Sequence, residues 1–123
     1  MEREVILTTV SDPSQLELLS KEMGKEGYEV ISAPSVPELV SAIKKKGKIA
    51  LAVIDMSAFD ESVWQQLDGL NKSNTPFIVI SPERSPSIQR ASLKHGASGL
   101  FTKGLHFKEL LEHIHTLLGK KQT

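Results

Sequence analysis

Short β-branched runs alternate with helical stripes along the whole chain, and this alternation restricts the fold more than any other feature of the sequence. EVILTTV (4–10), YEVISA (28–33), IALAVID (49–55), PFIVIS (76–81) and GLFTK (99–103) read as strands. Each is followed by a pattern of helical period. Asp12 is placed to cap the first helix, with Pro13 in its first turn; Leu16, Leu19 and Met23 share a face, and Gly24 and Gly27 close it. Ser35 and Glu38 have capping-box spacing ahead of Leu39, Val40 and Ile43. Val63, Leu67 and Leu70 mark a third helix, and a weaker fourth runs through Ile88 and Ala91 to His95, stopped by Gly96. Phe107, Leu110, Leu111, Ile114, Leu117 and Leu118 form the cleanest stripe, a C-terminal helix.

A strand followed by a helix thus recurs about every 24 residues, with no long linker, which argues for a single domain over 1–123. Parallel strands need crossovers, and those crossovers are right-handed. The expected architecture is an α/β, doubly wound parallel sheet with helices on both faces. The uninterrupted apolar character of IALAVID and PFIVIS suits strands covered on both sides. In such sheets ligands and chemistry gather beyond the carboxyl ends of the strands.

Composition removes several alternatives. The 123 residues contain no cysteine, which excludes a disulfide scaffold, a cysteine metal site and thiol catalysis, and suits a reducing cytoplasm. Fifteen basic and fifteen acidic residues cancel, so no overall field favours nucleic acid or an anionic membrane. No apolar run is long enough to span a bilayer. The lysines of KKKGK (44–48) read as a solvated helix end. No GxGxxG or P-loop pattern supports a nucleotide-binding enzyme. The four histidines fall at helix ends (His95, His106) or two apart on one helix (His113, His115), an arrangement that assembles no catalytic or metal site.

The strand ends place Val10, Ser11 and Asp12 after strand one, Asp55 after strand three, Ser81 after strand four and Lys103 after strand five. Each polar residue has a plain alternative, as a helix cap, a turn former or a solvated cation. Together they put a carboxylate, a hydroxyl and an ammonium on one rim.

At these positions the chain resembles the receiver domains of bacterial two-component response regulators. The resemblance spans nearly the whole length, through ILTTVSDPSQLELLSKEMGKEGYEV, LAVID, PFIVIS and GASGLFTKG. It implies a flavodoxin-like receiver fold of five strands in the order 2-1-3-4-5 flanked by five helices. It also implies that Asp55 accepts a phosphoryl group, with Lys103 and Ser81 stabilising it. The chemistry needs those types: a carboxylate attacks phosphorus, and cationic and hydroxyl donors meet the charge that gathers on the phosphoryl oxygens. The implied partners are a histidine kinase or phosphotransfer protein, a downstream protein, and a second copy through the last helix, with no direct nucleic-acid or membrane contact.

The resemblance further implies Mg²⁺, held by an acidic pair after strand one, by the phosphoacceptor and by a backbone carbonyl two residues beyond it. In this chain the pair maps to Val10 and Ser11, leaving Asp12, Asp55 and the carbonyl of Ser57 as a weak site. Asp12 lies in the register of a helix cap. Leu100, Gly104 and His106 depart from the aromatic, the proline and the acidic cap that the family commonly has there. Two functions follow as expectations: a phosphorylated receiver, and a degenerate receiver that binds partners without phosphorylation.

Overall fold

The computed structural model describes residues 4–10, 12–45, 49–58, 62–72, 74–103 and 107–119. The elements are β1 (Val5–Thr8), α1 (Pro13–Gly24), β2 (Glu29–Ser32), α2 (Val36–Lys45), β3 (Ile49–Asp55), a single 3-10 turn (Met56–Ala58), α3 (Val63–Lys72), β4 (Phe77–Ser81), α4 (Pro86–Lys94), β5 (Gly99–Thr102) and α5 (Phe107–Leu118). All strand pairs are parallel and the order is β2-β1-β3-β4-β5, as expected.

Alternation along the central strands sends side chains to two cores. Leu7, Ala52, Ile54, Phe77 and Val79 pack beneath α2 and α3, against Leu39, Val63, Trp64, Leu67 and Leu70, with Ile88 and Ala91 of α4 at the margin. On the other face, Ile6, Leu51, Val53, Ile78 and Ile80 meet Leu19 and Met23 of α1 and Leu110 and Ile114 of α5. The central strands β3 and β4 thus have apolar cover on both sides, which is why their sequences show so little alternation. The edge strands β2 and β5 are only partly covered.

Local signals act where the sequence puts them. Asp12 caps α1, its Oδ1 accepting from the Ser14 N–H at 2.9 Å. Ser35 Oγ accepts from the Glu38 N–H, the first half of the capping box, and donates to the Glu38 carboxylate. Gly27, with φ +88°, makes the left-handed turn into β2. The structure shortens every strand but β3: β1 ends at Thr8, since Thr9 and Val10 leave the ladder while staying buried, β2 covers Glu29–Ser32, and β4 and β5 each lose one terminal residue. Ser11, Lys46 to Lys48, Gly104, His106 and the tail after 119, on which several sequence expectations fell, lie outside the described residues.

Candidate functional site at the carboxyl edge of the sheet

Parallel pairing brings the ends of β1, β3, β4 and β5 to one edge. Asp55, the last residue of β3, is only 5% exposed. A buried carboxylate is costly unless its charge is answered. Among the described residues two groups answer it: the Ser57 N–H, from the 3-10 turn, donates to Oδ1 at 2.9 Å, and Lys103 Nζ lies 3.5 Å from Oδ2. Lys103 follows β5 directly, and its own N–H donates to the Ser81 carbonyl at 2.8 Å, which anchors the base of the side chain to the end of β4. The lysine side chain is about half exposed, so its charge faces both Asp55 and solvent.

Ser81 sits at the same edge and is buried, yet its hydroxyl donates to the Glu83 carbonyl in the loop before α4. The structure therefore brings Asp55 and Lys103 together and turns Ser81 Oγ into its own loop. Asp12 is exposed and committed to its cap. Val10 is buried and lines a small cleft between α1 and α5 of mixed polarity, with Leu19, Ile80, Phe107 and Leu110 beside Gln15 and Lys103.

The donors do not make the divalent-cation site that the resemblance implies. Val10 offers no ligand, one Asp12 oxygen is held by the Ser14 N–H, and both Asp55 oxygens already face donors of the chain. Among the described residues, no three histidine or acidic side chains converge. The nearby Thr8 and Thr9 hydroxyls are engaged with main chain, three of their bonds crossing to β3 and one coming from the Val10 N–H.

Those threonines are a part of the site that the strand pattern hides. The Asp55 N–H donates to Thr9 Oγ1 at 2.7 Å, and the same hydroxyl donates to the Asp55 carbonyl at 3.3 Å. Two β-branched residues at a strand end read only as strand formers; their side-chain hydroxyls were the available signal. The sequence also conceals a second polar contact. His95 Nδ1 lies 2.6 Å from Asp68 Oδ1 while its ring stacks on Trp64, tying the C-terminal end of α4 to α3.

No protein-family model matches the sequence, and no curated protein does. Solved structures do match over nearly the full chain. A response regulator from Thermotoga maritima is 18% identical with a TM-score of 0.78, covering 97% of this chain and 100% of that one. A receiver domain protein from Methanospirillum hungatei is 25% identical with a TM-score of 0.77, covering 96% of this chain and 95% of that one. An orphan response regulator of H. pylori is 14% identical at a TM-score of 0.78, covering 95% of this chain and 99% of that one. The fold is that of response regulator receiver domains.

Proposed function

We propose that the chain is a receiver module of two-component signalling and that Asp55 is its phosphoacceptor. The observation that carries this reading is the approach of Lys103 Nζ to within 3.5 Å of Asp55 Oδ2 at the carboxyl edge of a receiver fold. A carboxylate oxygen of Asp55 attacks the phosphorus of a phosphohistidine on a kinase or phosphotransfer protein. The P–N bond breaks, the departing imidazole takes up a proton, and Asp55 becomes an acyl phosphate. Lys103 and the Ser57 N–H meet the negative charge on the transferring oxygens. Release of the Ser81 hydroxyl from the Glu83 carbonyl then lets it donate to the phosphoryl group, drawing the loop before α4 inward and altering the surface that a downstream protein reads. Cytoplasmic placement and pairing of two copies through α5 belong to the same proposal.

Incubation with acetyl phosphate or phosphoramidate, followed by intact-mass analysis, tests the proposal. One phosphoryl adduct is expected on the native chain and none on Asp55→Asn. Absence of an adduct with both donors and with a histidine kinase overturns it.

One observation favours a second reading, a binding module that signals without phosphorylation: the β1 end of the site carries buried Val10 and a cap-bound Asp12. Partner binding that is equal for the native chain and Asp55→Asn selects this reading.

A further inference from the structure

The β1 ladder closes at Thr8, paired with Val53, two residues short of Asp55 on the neighbouring strand. The Thr9 N–H still reaches the Val53 carbonyl at 3.0 Å, but no further main-chain bond from β1 to Asp55 follows among the described residues. The Thr9 hydroxyl stands in that place. It accepts from the Asp55 N–H at 2.7 Å and donates to the Asp55 carbonyl at 3.3 Å. A hydroxyl has a single proton, so the one donor of this side chain is spent on the residue whose N–H it accepts from. Thr9 is 1% exposed, which leaves little room for water to replace it.

We propose that Thr9 is a positioning residue for Asp55: its hydroxyl, in place of the strand ladder, sets where the reactive carboxylate stands. This rests on the reading of Asp55 as phosphoacceptor. Among the described residues the carboxylate is held at its two oxygens by the Ser57 N–H and Lys103, and both contacts depend on where the β3 end sits. A displacement of about 1 Å at a reacting group is enough to cost a large factor in rate. Thr8 is the natural control. It is equally buried and makes the same kind of double contact, donating to the Val53 carbonyl and accepting from the Val10 N–H, both at 3.1 Å. Its bonds end two residues before Asp55.

The test compares Thr9→Val, Thr9→Ser and Thr8→Val in urea unfolding and in Asp55 phosphorylation over a range of acetyl phosphate concentrations. Thr9→Val lowers the maximal rate about tenfold or more while the half-saturating donor concentration stays put, and Thr9→Ser recovers most of the rate. Thr8→Val loses a comparable amount of stability and keeps its rate. Equal slowing by Thr8→Val and Thr9→Val, or an undiminished rate in Thr9→Val, overturns the proposal. Should Thr9→Val fail to fold, Thr9→Cys, with a weaker donor in the same place, carries the same expectation with a smaller loss.

If the native chain takes no phosphate, the phosphoacceptor reading fails separately. Crystal structures then decide the positioning role. In Thr9→Val the separation of Lys103 Nζ from Asp55 Oδ2 should open beyond about 4 Å, the limit of an ion pair, and stay closed in Thr8→Val; an unchanged separation in Thr9→Val overturns it.

Discussion

The carboxyl edge of the sheet has two halves that differ in what their polar groups are free to do. Around the ends of β3, β4 and β5, Asp55 faces Lys103 and the Ser57 N–H, and the Ser81 hydroxyl donates to a loop carbonyl. Around the end of β1, Val10 is apolar and buried, Asp12 is occupied with a helix cap, and the Thr8 and Thr9 hydroxyls hold main chain. One half sets a carboxylate against an ammonium, and the other spends its polar groups on main chain. The difference teaches that the parts of a shared rim can diverge, since each is delivered by a different strand and answers to its own neighbours.

The sharpest way to break this division is Val10→Asp. The substitution puts an unpaired carboxylate at a position 3% exposed, two residues past the end of the strand that lies beside β3. Without a cation it should cost about 3 kcal/mol, the scale of an uncompensated buried charge. Mg²⁺ at ten times its dissociation constant should restore about 1.4 kcal/mol to the variant and leave the native chain unmoved. Urea unfolding with and without MgCl₂ measures both. Equal stabilisation of the native chain would show that the β1 half holds a cation as it stands.

Asp12→Ala comes next. Loss of the Oδ1 contact to the Ser14 N–H should cost about 1 kcal/mol, the usual value of an N-cap. The rate of Asp55 phosphorylation should stay within about twofold, because a cap acts on α1 and not on the phosphoryl group. A fall in rate without a fall in stability would move Asp12 to the half that holds Asp55.

These two residues also show how far the sequence could be read. The cap at Asp12 was legible because Asp-Pro before an apolar stripe has a local cause. The bounds of β3 were legible for a similar reason, since burial on both faces leaves a continuous apolar run, Ile49–Asp55. The strand-end rule put Asp55, Ser81 and Lys103 on one edge. It could not say that Lys103 reaches Asp55 while Ser81 turns to Glu83, because side-chain direction depends on loops whose geometry is not local. Thr9 was hidden for another reason: valine and threonine serve a strand equally well, and its value as a double hydrogen-bond partner appears only once β3 lies alongside. The contact of His95 with Asp68 and Trp64 likewise joins two helices that only the fold makes neighbours.

A smaller effect belongs to the opposite edge and serves to isolate the rim. Tyr28 precedes β2 at the amino end of the sheet, and burial, followed by the charges of Glu4 and Glu26, pushes its phenol above the ordinary 10.0. The folded state therefore holds the phenolic proton more tightly than the unfolded chain does. The corresponding stability is fully present below the unfolded pKa and is lost as pH rises through the raised folded value. Alkaline unfolding of the native chain should show this loss above about pH 10, and Tyr28→Phe should flatten it. Phosphorylation at neutral pH should be the same in both.

Lys103→Met should move stability modestly. The lysine side chain is about half exposed but Asp55 is buried, so the loss should be about 1 kcal/mol, above that of an exposed pair and below that of a buried one. Asp55 Oδ1 keeps the Ser57 N–H, which still answers part of the carboxylate's charge. The rate is another matter. The transferring phosphoryl group brings negative charge against a buried carboxylate, and no acidic pair from β1 holds a cation to offset it. With the ammonium removed, phosphorylation should slow about a hundredfold, the loss that follows removal of one preorganised donor from developing charge. Methionine keeps much of the aliphatic length along the cleft, so packing alone cannot account for such a loss. If Lys103→Met instead unfolds the protein by several kcal/mol, the pair it makes with Asp55 is structural, and the edge is devoted to stability from end to end.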